Sequence, residues 1–174
     1  MKECILVKPA MEFAEQIASY RNEFLETGDS MDGTGPLQRM ENIGQYIEFC
    51  AACEKQDCVP EHLVAATQFL CIRVSDQKLV GMIQVRHYFN DYLEKYGGNI
   101  GYSVRPSERR KGYGTEMLKH VLPFCKAAGL EKVLVTCIDG NEASEKIIRF
   151  NGGIYESTVY EENADVHLKR FWIL

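Results

Sequence analysis

Hydrophobic side chains recur along the chain with two different periods, and the change of period separates the predicted helices from the predicted strands. Between residues 11 and 26, and again between 43 and 54, apolar residues follow the spacing of one helix face. From Ala66 onward apolar and polar positions alternate, which is typical of strands with one buried face. The first half therefore has two predicted helices and three predicted strands, over 4–8, 67–75 and 79–88.

The second half alternates between strands and helices. The pattern predicts strands over 99–105, 132–138, 154–160 and 166–173, and helices over 113–128 and 141–150. The order β-α-α-β-β-β-α-β-α-β-β favours a single α/β domain over 1–174, with a mixed, mostly antiparallel sheet of six to seven strands flanked by about four helices. Residues 27–36 are turn formers throughout and are predicted to form a mobile loop.

The loop over residues 103–115 joins a predicted strand to the long helix and is rich in Arg, Lys and Gly. Pro106 ends the strand, and Gly112 and Gly114 flank Tyr113 where the helix begins. Backbone N–H groups at a helix start suit a phosphate or pyrophosphate, and glycine lets such a ligand approach closely. Full positive charge is added there by Arg109, Arg110 and Lys111. Without further context, a G-x-G pattern is more often a plain helix start.

Composition excludes several classes of protein. The net charge of -5 and the pI near 5.4 argue against a nucleic-acid partner, so the basic loop is better interpreted as a site for a small anion. No apolar run approaches the roughly 18 residues of a membrane span. The N-terminus, M-K-E-C-I-L-V-K-P, lacks the apolar stretch of a signal peptide, which favours a cytoplasmic protein without membrane association.

The seven cysteines are an odd number scattered through apolar segments, which is typical of buried thiols in a reducing compartment. A zinc site is an alternative for one group with the spacing C-x2-C-x4-C-x3-H, namely Cys50, Cys53, Cys58 and His62. However, Cys50 and Cys53 continue the apolar stripe of a predicted helix. We therefore expect core packing and no metal.

The basic loop resembles the signature of a known superfamily. The run R-R-K-G-Y-G over residues 109–114 is similar to the [Q/R]-x-x-G-x-[G/A] signature of the GNAT N-acetyltransferases, and it stands after a fourth strand and before a third helix, as in that family. The later run V-L-V-T-C-I-D-G-N-E-A-S-E-K-I-I resembles the family's fifth strand and the Asn-led helix after it. The segments R-H-Y-F-N and G-G-N-I-G-Y-S-V-R-P-S-E-R-R-K-G-Y further resemble a bacterial subgroup of predicted acetyltransferases.

This resemblance implies acetyl-CoA as the acyl donor. Its pyrophosphate would lie at the residues Arg109, Arg110, Lys111, Gly112, Tyr113, Gly114 and Thr115. Its pantetheine arm and thioester would lie along Tyr102, Ser103 and Val104, with the Val104 amide polarising the carbonyl. Asn141 and Ser144 would contact the arm from beyond the fifth strand, and for Asn141 a plain helix N-cap is an equally good interpretation.

The catalytic residues depart from the family pattern. Where many relatives carry a Tyr that protonates the leaving thiolate, this chain has Ile148, and where a carboxylate often stands early in the fourth strand it has Asn99. Asn99 can orient a water but cannot act as a base. The remaining candidates are His87 and Glu94 as bases and Tyr102 as a proton donor, each with an ordinary structural role as the alternative.

The resemblance implies an acetyl-CoA-dependent N-acetyltransferase in which the amine of a small molecule or peptide attacks directly in a ternary complex. Asp29 and Asp32 could attract a cationic amine, although solvated surface acids are the commoner case. The alternative is a CoA-binding sensor or interaction module without efficient catalysis, which the absent Tyr favours. Homodimers are common in the superfamily, and the residues do not decide whether this chain forms one.

Overall fold

The computed structural model describes residues 3–174, so Met1 and Lys2, where the N-terminal interpretation begins, lie outside it. The α-helices are α1 (Ala14–Thr27), α2 (Ile43–Ala52), α3 (Tyr113–Ala127) and α4 (Glu142–Phe150). The strands are β1 (Cys4–Val7), β2 (Ala66–Arg73), β3 (Lys78–Arg86), β4 (Ile100–Val104), β5 (Val133–Ile138), β6 (Ile154–Glu161) and β7 (Val166–Ile173). Shorter helical segments are Met11–Phe13, Leu37–Arg39, Gln56–Cys58, Leu93–Gly97 and Pro106–Glu108.

The strands form one sheet in the order β1-β2-β3-β4-β5-β7-β6. All neighbours run antiparallel except β4 and β5, which are parallel because α3 forms the crossover between them. The order of elements, the seven strands and the mostly antiparallel sheet confirm the fold expected from the sequence.

Helices cover both faces of the sheet, and each face has its own apolar cluster. On one face, α3 and α4 bury apolar residues against β3, β4, β5 and β7, with Met117, Val121 and Ile148 fully buried. On the other face, α1 and α2 bury a second cluster against β2 and β3, in which Tyr20 and Tyr46 are fully buried. The sheet therefore has a face with α3 and α4 and a face with α1 and α2.

The sheet opens between its two parallel strands. The only register pair between β4 and β5 is Ile100 with Val135. Beyond Ile100 no β4 residue pairs with β5, whose opposite edge pairs along its whole length with β7, from Val133–Ile173 to Ile138–Leu168. The C-terminal part of β4 therefore lacks a strand partner on its β5 side.

The segment 27–36, predicted to be a mobile loop, packs closely against the sheet. Met31 and Thr34 are buried within it. Gly33 has φ of 71°, and a Cβ there would lie 2.0 Å from the carbonyl oxygen of Gly101 on β4. The composition of residues 27–36 predicted turns correctly. It could not show that Gly33 and Gly101, which lack side chains, let the segment lie against β4.

The cysteines are free thiols, and only Cys58 is exposed. Over residues 3–174 no group of three His, Cys, Asp or Glu side chains is placed to hold a metal ion. In the same range no helix is long and apolar enough to cross a membrane.

Candidate functional site

The connection from β4 to α3 presents backbone N–H groups to one side. Arg110 and Gly112 have left-handed backbone, with φ of 61° and 88°. Such residues turn successive N–H groups into a concave anion site. A cavity of about 380 Å³ opens there, lined by Lys111, Gly112, Tyr113, Thr115, Glu116, Lys146, Ile147 and Phe150.

The two glycines of the loop have different roles. A Cβ on Gly112 would meet no atom within 4 Å, so the space above this backbone is open to a ligand. A Cβ on Gly114 would lie 2.6 Å from Cδ1 of Ile147, so glycine there allows α3 to start close against α4. Gly112 is therefore the position where a cofactor can touch the backbone.

A buried carboxylate, that of Glu108, holds the loop between β4 and α3 in place. Glu108 accepts hydrogen bonds from Lys111 Nζ, Lys78 Nζ and Arg73 Nη1, each at 2.8 Å. Burial opposes ionisation, but these three cations lower the pKa of Glu108 to about 2. The loop is thus held to β2 and β3 by a charged cluster rather than by apolar packing.

The three predicted basic residues of the loop point in different directions. Arg109 is turned towards the 27–36 segment: its Nη1 donates to Asp29 at 2.7 Å, and its Nε donates to the Val104 carbonyl at 3.3 Å. Lys111 lines the cavity, and Arg110 is exposed. Only part of the loop's positive charge therefore faces the cavity.

The hydrogen-bond register shows which β4 residues face the opening. Arg105 N donates to Val80 O at 2.9 Å, and Arg86 N donates to Asn99 O at 2.7 Å. Because antiparallel pairs alternate, odd-numbered residues of β4 direct their backbone groups to β3. The backbone groups of Tyr102 and Val104 consequently point towards β5, where no strand pairs with them.

Ser103, predicted to contact the CoA arm, lies on the other side of β4. Its backbone belongs to the β3 ladder opposite Met82. Its carbonyl accepts a hydrogen bond from the Tyr20 hydroxyl at 3.0 Å, and its own hydroxyl lies 3.0 Å from the same oxygen. Ser103 thus anchors β4 to α1.

Two hydroxyls meet where α4 begins beside the opening. Tyr102 Oη lies 2.8 Å from Ser144 Oγ, and Asn141 caps the helix by accepting a hydrogen bond from Ser144 N at 3.1 Å. Burial raises the pKa of the Tyr102 phenol, so it stays protonated at neutral pH. Burial also raises the pKa of the Cys137 thiol to about 11, which disfavours a thiolate nucleophile beside these groups.

The two positions that depart from the family pattern are structural. Ile148 is fully buried in the core. Asn99 joins three strands at the closed end of the opening: its amide donates to the Arg86 carbonyl at 3.2 Å, and its side-chain oxygen accepts from Leu134 N at 2.8 Å. With both ends of its side chain in use, Asn99 is a poor group for orienting a water.

The two predicted bases do not lie at the opening. His87 Nε2 lies 2.8 Å from Thr67 Oγ1 on β2, so β3 separates the imidazole from the opening. Burial lowers its pKa. Glu94 belongs to the Leu93–Gly97 segment and lines a different cavity, of about 530 Å³, together with Glu156 and Arg170.

On the face with α1 and α2, two segments border the opening. The 27–36 segment lies over β4 through Gly33 and Gly101. The Leu93–Gly97 segment lies over β5, where Thr136 Oγ1 donates to the Tyr96 carbonyl at 2.8 Å. Arg86 sits between these segments, and sequence reasoning missed it. The signal was present, because period-two alternation places neighbouring Arg86 and His87 on opposite faces of β3.

The chain is an α/β domain whose mixed sheet opens between its two parallel strands, beside a helix start with left-handed backbone. The chain belongs to the GNAT family of acetyltransferases, whose model matches residues 36–152, more than half of its length. A search of curated protein sequences finds no significant match.

Solved structures with this fold include three acetyltransferases that match over the whole of this chain. The GNAT-family acetyltransferase from Bacillus anthracis has 19% identity and a TM-score of 0.66, covering 100% of this chain and 96% of its own. The microcin C7 self-immunity acetyltransferase MccE, solved with acetyl-CoA and AMP, has 16% identity and a TM-score of 0.70, with coverage of 100% and 93%. The ribosomal L7/L12 alpha-N-protein acetyltransferase RimL, solved with coenzyme A, has 13% identity and a TM-score of 0.72, with coverage of 100% and 95%.

Proposed function

We propose that the protein transfers the acetyl group of acetyl-CoA to a primary amine of a small molecule or peptide by direct attack in a ternary complex. One observation carries the proposal. The pairing of β4 with β5 stops after Ile100 and Val135, which leaves the backbone groups of Tyr102 and Val104 facing an opening beside the start of α3. Extended chains pair readily with such free backbone, and a pantetheine arm has the amide groups to do so.

The donor would be bound in two parts. Its pyrophosphate fits the N–H groups of the Arg110–Thr115 turn, since a helix start and left-handed residues both favour anions. Lys111 and Lys146 line the same cavity and add positive charge. Its arm would then run along Tyr102 and Val104 into the opening.

The acceptor would approach from the opposite face. The helices α3 and α4 occupy the donor face, so an amine reaches the thioester from the face with α1 and α2, between the 27–36 and Leu93–Gly97 segments. Holding both reactants at one opening supplies much of the acceleration through proximity. The Val104 N–H would stabilise the oxyanion that develops.

The leaving thiolate would take its proton from the hydroxyl pair of Tyr102 and Ser144. Both hydroxyls lie at the start of α4, and the buried phenol is protonated at neutral pH. This pair replaces the Tyr that many relatives carry at the position of Ile148. His87 and Glu94 lie elsewhere, so the proposal routes the amine proton to water rather than through them.

The test combines acetyl-CoA binding by calorimetry with thiol release across an amine panel. Gly112→Ala should weaken acetyl-CoA binding by at least ~10-fold, because a Cβ at a left-handed position strains the turn and intrudes on the pyrophosphate. Gly129→Ala is the matched control, since Gly129 has φ of 85° and equally open surroundings but ends α3. It should leave the affinity unchanged.

Two results would count against the proposal in different ways. Equal acetyl-CoA affinity in wild type and Gly112→Ala would contradict the donor site. Normal binding without thiol release on any amine would favour the alternative, a CoA-binding sensor or interaction module.

A further inference from the structure

Arg86 is a half-buried guanidinium without a carboxylate partner. Its Nη1 donates to the carbonyls of Gly97 and Gly98 at 3.0 and 3.3 Å, and no carboxylate of residues 3–174 lies within ion-pair distance. Burial lowers its pKa, which shows that its surroundings disfavour the charge. Arg73, half-buried at the end of β2, and Arg105, buried just after β4, do have carboxylate partners. Buried cations are normally paired, so an unpaired one suggests an anion supplied by a ligand.

The free edge of Arg86 is accessible. Neither Nε nor Nη2 has a partner among the described residues. Among the described residues, only Arg105 Nε is both without a partner and sealed from solvent, so neither free nitrogen of Arg86 is sealed. Nε and Nη2 together form the planar fork that binds a carboxylate through two parallel hydrogen bonds.

Two glycines place this edge over β4. Nη2 lies 3.2 Å from the position that a Cβ on Gly101 would take, and Gly33 packs on the same residue. Gly101 immediately precedes Tyr102, whose backbone faces the opening. The guanidinium therefore lies next to the place where an acceptor would meet the thioester.

The groups around Arg86 have complementary charge. Asp32 is close enough that its charge acts on both Arg86 and Tyr102. Tyr92, which is 54% exposed, also interacts electrostatically with Arg86. Asp29, the second acid of the loop, is engaged by Arg109, whereas Asp32 bonds only Ser30. The Arg86 cation and the Asp32 carboxylate are thus close enough to interact electrostatically.

We propose that the acceptor is an amine that also carries a carboxylate, of the free amino-acid class, with its carboxylate on the Nε–Nη2 edge of Arg86 and its ammonium group beside Asp32. This inference rests on the proposed function and narrows its acceptor. The ammonium group loses one proton to water, and the resulting amine attacks the thioester carbonyl to form a C–N bond. The C–S bond then breaks, the nitrogen loses its second proton to water, and the thiolate takes a proton from the Tyr102 and Ser144 pair, which water reprotonates. The products are an N-acetyl amino acid and CoA.

Matched acceptor pairs provide the test. Free amino acids would be compared with their primary amides, which keep the amine and lose the carboxylate charge, and kcat/KM would be measured for each pair. The acid should be preferred by about 30-fold or more, the typical effect of charged hydrogen bonds to one group. Arg86→Gln should remove this preference by raising KM for the acid far more than KM for the amide.

Arg21→Gln is the matched control, because Arg21 also donates only to backbone carbonyls, those of Leu37 and Gln38. It should keep the acid preference. Arg86→Lys, which retains the charge but loses the fork, should recover less than a tenth of the preference. It also serves if Arg86→Gln proves too unstable to purify.

A second measurement needs no turnover. Calorimetric titration of amino acids into the protein–CoA complex should show binding that Arg86→Gln abolishes. Turnover on amines with no acid preference, better turnover on peptides or polyamines, or equal loss on acids and amides in Arg86→Gln would each overturn the Arg86 assignment alone. Absence of any turnover, despite acetyl-CoA binding, would overturn the proposed acetyl transfer and this acceptor with it.

Discussion

Removing the buried carboxylate of Glu108 should destabilise the protein in a pH-dependent way. The side chain is 5% exposed and accepts hydrogen bonds from Arg73, Lys78 and Lys111, each at 2.8 Å. Glu108→Gln keeps the shape and removes the charge, so three cations lose their shared partner. The same residue ends the turn before α3, so the stability of the donor site depends on it.

The structure sets the size of the effect. The pKa of Glu108 is lowered from 4.5 to about 2, which corresponds to about 3 kcal/mol of free energy of unfolding. Lys78 and Lys111 are 36% and 38% exposed, so solvent screens part of this interaction. We therefore expect Glu108→Gln to lose about 2 kcal/mol at pH 7.

The sign of the pH dependence follows from the lowered pKa. A carboxylate that ionises more readily in the folded protein stabilises it above the unfolded pKa, and this contribution is lost as pH falls through the folded pKa. The difference in free energy of unfolding between wild type and Glu108→Gln should therefore be largest at pH 7 and shrink as the pH falls from 4.5 to about 2.

Denaturant unfolding at several pH values measures this difference. Glu156→Gln is the control, because the pKa of Glu156 is also lowered to about 2, through Arg170 and Trp172, but its side chain is 39% exposed. Its loss should stay below about 1 kcal/mol. A Glu108→Gln loss below about 0.5 kcal/mol at pH 7, or one that does not change down to pH 3, would refute the reasoning.

Two further predictions concern the opening and the loop over it. Tyr102→Phe should lower kcat by about 10–100-fold, with the KM for acetyl-CoA little changed. Adding Ser144→Ala should lower kcat little further, because the two hydroxyls act as one pair. Fully additive losses of kcat in steady-state kinetics would argue for separate roles. Gly33→Ala should lose at least about 3 kcal/mol in thermal unfolding, because its Cβ would meet Gly101 O at 2.0 Å, whereas Gly28→Ala, with the same φ of 71° and no neighbour within 4 Å, should lose about 1 kcal/mol. Similar losses of stability in Gly33→Ala and Gly28→Ala would mean that backbone strain, and not the contact with β4, determines the effect.

Hydrophobic periodicity predicted the elements well because most of them bury one face. The strands and helices lie within a few residues of the expected ranges, and Pro106 begins the turn that follows β4. The loop proposed to bind the pyrophosphate was also visible in the sequence, because the positions of Gly112 and Gly114 at a helix start have a local physical meaning.

The catalytic side was much harder to predict, because it depends on contacts between distant segments. Alternation along β4 predicts that the backbone groups of Tyr102 and Val104 point to one neighbouring strand and those of Ser103 to the other. Only the pairing register shows that those of Tyr102 and Val104 face β5. His87 was a natural choice of base by residue type, yet its neighbour Arg86 is the one that reaches β4. The packing of the 27–36 segment brought both Asp32 and Gly33 to that place.

The Lys111 and Glu108 pair shows a similar limit. Sequence reasoning assigned all of the loop's cations to the phosphates, whereas the structure places a buried carboxylate among them and turns Arg109 towards Asp29. Long side chains choose their partners in three dimensions, so a run of basic residues predicts the charge of a loop but not its direction.

A structure of the protein with CoA or acetyl-CoA would test the central claim most directly. The account predicts a pyrophosphate on the N–H groups of the Arg110–Thr115 turn and a pantetheine arm hydrogen-bonded to the backbone of Tyr102 and Val104 between β4 and β5. A cofactor bound outside this opening, or strands β4 and β5 closed on each other beside it, would contradict the account.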